Sequence, residues 1–263
     1  VITSYLAGKN NGAVILSEDE GTSVLLNGED HVRIQVLCNG MDIQSCFKKA
    51  NEIDDYIDAH FDYAFDEKYG YKTTYPTNTG TGMKAGYTLH LPSLSDARRL
   101  NDISAELGRF GLKFRTVYGD GQNGYGNLYQ ISTQKTLGQD EREVIKDLDD
   151  IVLQIVNQEK EQREHFYKKD KIQMDDEIYK SYGVLKYARK LSLKDSMVLI
   201  SELMTGISLG VLQFAHNGRY NINELIMDIQ PAVLRQNSGK AMSVAETDVL
   251  RAEYIRKYLP EII

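Results

Sequence analysis

Cysteine is scarce in this 263-residue chain, which has only Cys38 and Cys46. So sparse a set excludes a disulfide-stapled scaffold, and no Cys, His or carboxylate cluster stands at metal-ligand spacing, so no metal site is expected. The two cysteines read as buried thiols of a protein kept in a reducing, cytoplasmic compartment. No run of ~18 apolar residues and no signal-peptide pattern occurs, so no membrane partner is expected. Basic residues are outnumbered, 31 Lys and Arg against 38 Asp and Glu. Such a chain has no overall field to draw nucleic acid, although a local basic pocket stays open. Internal repeats, low-complexity tracts, a Walker loop and a GxGxxG fingerprint are all missing. The chain opens on valine and a polar, coil-like stretch, VITSYLAGKNNG, and reads as a piece of a longer protein.

What is present divides near residue 138. Up to that point strand and helix patterns alternate; beyond it every periodic segment is helical. The expected fold class is α+β, a largely antiparallel sheet flanked by helices over residues 1–138, followed by an all-helical domain over residues 139–263. Ser192 to Asp195 and Ser243 to Glu246 have helix-capping spacing. The apolar stripe from Met197 to Leu212 suits a core or a dimer face. The charged run NQEKEQREHFYKKDK reads as a solvated helix face.

In the first part, AVILSEDEGTSVLLNGEDHVRIQVLC predicts three antiparallel strands joined by two acidic turns. On the third, His31, Arg33 and Gln35 share the polar face, with Glu29 just upstream. A helix over Ile43 to Phe61 follows. The loop YPTNTGTG then leads into MKAGYTLHLP, which places Lys84 and His90 on a polar strand face. A single helix, SLSDARRLNDISAELGRFG, crosses to the strand LKFRTVYG, where Arg115 is polar-facing and the Gly-rich loop containing Asp120 follows. If these strands share a sheet, Arg33, Lys84 and Arg115 converge. Taken alone, the Thr/Asn/Gly loop is either a phosphate cradle or an ordinary turn, and the charges are either functional or surface ion pairs.

Three ordered strings, NGEDHVRIQ, YPTNTGTGMKAGYTLHLP and FRTVYGDGQNGYGNLYQISTQKTLG, resemble the ATP:guanidino phosphotransferase (phosphagen kinase) family. Within it they are most similar to the bacterial protein-arginine kinase branch of McsB type, whose helical tail the last ~120 residues also resemble. The resemblance implies transfer of the γ-phosphoryl group of ATP, with Mg2+, to arginine guanidinium groups of protein substrates. It further admits an activator protein and a homodimer. By the same resemblance Glu29 matches a catalytic glutamate, and Arg33 and Arg115 match phosphate-holding arginines; His31, on its polar strand face, is expected beside the adenine or the phosphates.

Several positions depart from the family pattern. Lys84 stands where the family has a third arginine, Asp120 where it has a second catalytic glutamate, and Tyr75 where it has a reactive cysteine beside the substrate. Lysine gives up the bidentate fork of arginine, and aspartate is one methylene shorter. In the tail, TDVLRA resembles a phosphoarginine-binding motif; Asp248 and Arg251 match, while Thr247 replaces its first arginine. The family's N-terminal phosphate-binding segment has no counterpart in the chain. Two alternatives therefore stand beside an active kinase: a noncatalytic pseudokinase or binding partner of the same fold, and a kinase for a small guanidino compound.

Overall fold

The computed structural model describes residues 8–120, 123–138, 140–215 and 221–263. The first seven residues of the expected N-terminal coil and the side chain of Asp120 lie outside the described residues. The chain forms two compact units. One comprises Val1–Tyr87, Ser104–Phe114 and Ile131–Gln154; the other comprises Thr88–Ile103, Arg115–Gln130 and Ile155–Ile263.

The first unit begins with an antiparallel meander of β1 (Ala13–Leu16), β2 (Thr22–Leu26) and β3 (Val32–Val36), with Leu25 opposite Arg33. Alternation of short apolar and polar residues sets this register, because a slip by one would turn Leu25, which is buried, out to solvent. Asn27 takes a left-handed φ of 55° and its N–H meets the His31 carbonyl at 2.8 Å, closing the second turn. Since β3 starts only at Val32, Glu29 belongs to this turn and not to the strand.

Asp42 caps α1 (Ile43–Asp58) by accepting the Ser45 N–H. The expectation of buried thiols is corrected here: Cys38 is exposed, Cys46 half-buried, and the two form a disulfide. The chain turns back between β3 and α1, and this brings their Cα atoms to 6.1 Å, within bridging reach.

Beyond α1, a short hairpin pairs β4 (Phe65–Asp66) with β5 (Gly70–Tyr71). A second three-stranded sheet has the order β6-β10-β7, with β6 at Gly86–His90, β7 at Leu112–Thr116 and β10 at Leu128–Thr133. Between the last two in sequence, β8 (Gly119–Asp120) pairs with β9 (Asn123–Gly124). The strands bearing Arg33 and Arg115 thus belong to different sheets, and Lys84 precedes its strand, so convergence in one sheet is corrected. The single helix expected from residue 93 is two, α2 (Pro92–Asp96) and α3 (Leu100–Arg109). Arg98 breaks it with a φ of 57°, and the Arg99 N–H reaches back to the Leu94 carbonyl at 3.0 Å, a Schellman ending built without glycine.

After α4 (Glu141–Lys169) come α5 (Lys171–Tyr187), α6 (Leu193–Ser208), α7 (Ile222–Asp228), α8 (Pro231–Ser238) and α9 (Val244–Tyr258). Ile178, Leu185, Met197, Ile200, Leu203 and Ile255 form the centre of the second unit's core, so the apolar stripe of α6 is core. Ser243 and Glu246 make the expected reciprocal cap. The charged run on α4 is only partly solvated. Glu159 and Arg163 are buried and paired at 2.9 Å, and the Glu159 carboxylate also accepts the Ser93 and Leu94 N–H groups that open α2. Among the described residues no helix is long and apolar enough to cross a membrane.

Two buried groups in this unit generate measurable consequences. Arg251 is 1% exposed and donates to the carbonyls of Ile229 and Leu191 and to the Asp248 carboxylate. Arg251→Ala strands three acceptors and is expected to cost about 3–5 kcal/mol in urea unfolding, whereas Lys257→Ala changes stability by less than about 0.5 kcal/mol.

His90, expected on a polar face, instead packs half-buried against the Ser201 hydroxyl at 2.8 Å. Burial, aided by the nearby Arg163 charge, pushes its pKa from 6.5 down to about 3. The unfolded chain therefore takes up this proton near pH 6.5 and the folded chain only near 3, so stability is lost as pH falls between them. Relative to His90→Gln, the native chain should lose up to about 2 kcal/mol between pH 7 and pH 5, read from paired unfolding curves.

Candidate active site

The loop from Tyr75 to Gly82 is rigidified by its own backbone. Pro76–Asn78 form a single 3-10 turn, started by the fixed φ of proline. Tyr71 and Gly80 exchange backbone hydrogen bonds of 2.8 and 3.3 Å, and the Thr81 N–H meets the Thr136 carbonyl at 2.9 Å. Gly80 has φ +115°, and a Cβ there would lie 2.2 Å from the Thr136 oxygen, so only glycine fits. Below the loop, the Tyr71 and Tyr63 hydroxyls both donate to Asp54, at 3.1 and 2.9 Å. Burial and that carboxylate push the Tyr71 pKa up to about 12, which keeps it a donor. A cavity of about 270 Å³ lies beside this floor, lined in part by Phe65, Tyr69, Tyr71, Thr136 and Glu141.

The N–H groups of Asn78, Thr79, Gly80 and Thr81 are thus spent inside the protein. Those of Gly82 and Lys84 take no acceptor among the described residues, so the donors available to an anion stand at the loop's end, together with the Lys84 ammonium.

This loop is latched to the turn that carries Glu29. The Thr74 N–H donates to Asp30 Oδ1 at 2.7 Å, the Thr74 hydroxyl to the Glu29 carbonyl at 2.7 Å, and the Asn78 amide to Asp30 Oδ2 at 3.5 Å. The other end of Asn78 accepts from Lys84 Nζ at 2.5 Å. Glu29, Tyr75 and Lys84, with more than 40 residues between the first and the other two, are thereby brought into one connected group, with the Glu29 and Tyr75 side chains exposed. His31 and Arg33 continue from the same turn into β3 and are also exposed.

Each candidate cation has a neutral partner. Arg33 donates to the Gln35 amide oxygen at 2.9 and 3.2 Å, in the orientation that satisfies that amide. Arg115, exposed on β7 in the second unit, donates from Nε to Gln130 Oε1 at 2.7 Å. No carboxylate pairs with Arg33, Lys84 or Arg115 among the described residues. Among those residues there is also no cluster of three or more His, Cys, Asp or Glu suited to a metal ion.

Periodicity could not find Asp30, Thr74, Asn78, Gln130 or Thr136. Asp30 and Asn78 lie inside the family-like motifs, but nothing local says that the one binds the other. In the tail, Asp248 is half-buried and paired with Arg251 at 2.6 Å, so that guanidinium acts as an internal fastener.

Residues 1–162 match the family model of the ATP:guanido phosphotransferase C-terminal catalytic domain, and residues 171–262 that of the protein-arginine kinase McsB C-terminal domain. The protein-arginine kinases of Bacillus subtilis (strain 168) and Bacillus licheniformis are 41% and 40% identical over 259 residues, covering 98% of this chain and 71% of each relative. Among solved structures, the duplicated taurocyamine kinase from Schistosoma mansoni with bound transition-state analog components superposes with a TM-score of 0.52 at 27% identity. That likeness covers 59% of this chain and 22% of the other. With a catalytic-domain match over more than half its length and relatives 40% identical along nearly all of it, the chain belongs to the ATP:guanido phosphotransferase family.

Proposed function

We propose that this chain is the catalytic and C-terminal part of a protein-arginine kinase, transferring the γ-phosphoryl group of MgATP to arginine side chains of protein substrates. The observation that carries this reading is the latch from the Glu29 backbone carbonyl and the Asp30 carboxylate to Thr74 and Asn78, and through Asn78 to Lys84, which ties the turn bearing Glu29 to the loop that ends in Lys84.

The chemistry needs both halves. A guanidinium is a poor nucleophile until a carboxylate aligns it and takes a proton, and Glu29 is the carboxylate that does so. A guanidinium nitrogen forms its bond to the γ-phosphorus, the bond to the bridging oxygen breaks, ADP departs, and the nitrogen's proton passes to Glu29. The loose phosphoryl group spreads negative charge over its oxygens, which Lys84, Arg33 and the free N–H groups of Gly82 and Lys84 stabilise. By the family resemblance Arg115 is a further phosphate-holding arginine, Asp120 a second carboxylate and Tyr75 a neighbour of the guanidinium, with His31 proposed beside the nucleotide. Phosphoarginine recognition by Asp248 and Arg251 in the tail requires opening the ion pair that the two make with each other at 2.6 Å.

Incubation with MgATP and an arginine-rich protein, for this chain and for one extended upstream to the length of its relatives, should give acid-labile phosphoarginine by mass spectrometry. Glu29→Gln is expected to slow it about 10²- to 10⁴-fold, and Lys84→Arg, which restores a planar fork, to raise it. Absence of product beside a working kinase control would sink the kinase reading in favour of a noncatalytic binding protein. Product formed on free arginine but on no protein would favour a small-guanidino kinase.

A further inference from the structure

Each of the candidate cations Arg33, Lys84 and Arg115 is hydrogen-bonded to a carboxamide and none to a carboxylate among the described residues. Elsewhere the same chain pairs cations with carboxylates freely, as in Glu159 with Arg163, Asp248 with Arg251, and Glu261 with Lys186. An amide oxygen fixes the direction of an N–H donor but brings no formal charge, so the cation keeps its full attraction for a phosphate. A carboxylate in that place would fix it equally well and cancel it.

We propose that Gln130 and Asn78 are positioning residues for phosphoryl transfer, holding Arg115 and Lys84 in place without neutralising them. Gln130 stands half-buried on β10 and meets Arg115 of β7 at Nε, and the outer guanidinium nitrogens take no acceptor among the described residues. Asn78 has a second duty. Its amide nitrogen faces Asp30 at 3.5 Å while its oxygen holds Lys84 at 2.5 Å, so it bridges a carboxylate and an ammonium. The inference rests on the kinase reading for its phosphates, and adds that these two positions require a neutral amide.

The deciding substitution is Gln130→Glu, which preserves shape and contact and adds one negative charge. MgATP affinity by calorimetry is expected to weaken at least ~10-fold, and phosphoarginine formation to fall with it, while the melting temperature holds or rises through the new ion pair. A purely structural glutamine would give the reverse pattern, unchanged affinity at unchanged stability, and that result overturns the proposal. Gln130→Leu, which removes the acceptor and adds no charge, is expected to lose less affinity than Gln130→Glu. Asn78→Asp repeats the test at Lys84 should Gln130→Glu fail to fold: weakened affinity supports the proposal, native affinity overturns it.

Arg115→Met separates this inference from the reading beneath it. If Arg115→Met weakens MgATP and Gln130→Glu does not, the inference alone fails. If Arg115→Met binds as the native chain does, or if the native chain binds no MgATP, the phosphate assignment fails and takes the inference with it.

Discussion

Asp30 is the residue on which the arrangement of the site depends. Its two carboxylate oxygens receive the Thr74 N–H and the Asn78 amide, joining the turn before β3 to a loop some 45 positions later in the chain. Alone, each element is a polar surface connection whose ordering costs conformational entropy with no apolar burial to offset it. Held together, they fix Glu29 at one end and Lys84 at the other. The floor under the loop, from Asp54 through Tyr71 to Gly80, continues the same logic into the first unit's interior.

Charge is used in two ways. In the helical unit, Glu159, Arg163 and Arg251 are buried and engaged in ion pairs, because an unpaired buried charge costs several kcal/mol. Glu159 accepts two helix-start N–H groups as well as Arg163, so one carboxylate caps α2 and anchors α4. The candidate cations Arg33, Lys84 and Arg115 are instead exposed and held by amides. Of the departures from the family pattern, Lys84 falls on the second kind of charge; Tyr75, Asp120 and Thr247 are the others.

Much of the fold was legible in the residues. Alternation marked the three-stranded meander, and capping serines marked α6 and α9, because those signals are local and recur every two or four positions. The break between α2 and α3 was not, since Arg98 has no side-chain reason to take a left-handed φ and is driven there by the Schellman bonds of its neighbours. Nor was the burial of Glu159 within a charged run, which depends on α2 presenting unpaired N–H groups to it. The Cys38–Cys46 bridge depends likewise on the chain reversal between β3 and α1.

By itself the sequence determined the family and the α+β-then-helical order and offered Glu29, Arg33, Lys84 and Arg115 as candidates, because ordered motifs and side-chain chemistry are written position by position. Only the tertiary structure decided that Arg33 and Arg115 sit in different sheets, that Arg251 faces inward, that Asn78 meets both Asp30 and Lys84, and that Gln130 meets Arg115. Those outcomes depend on hydrogen bonds between residues far apart in the chain, and a carboxamide's choice of partner leaves no periodic trace.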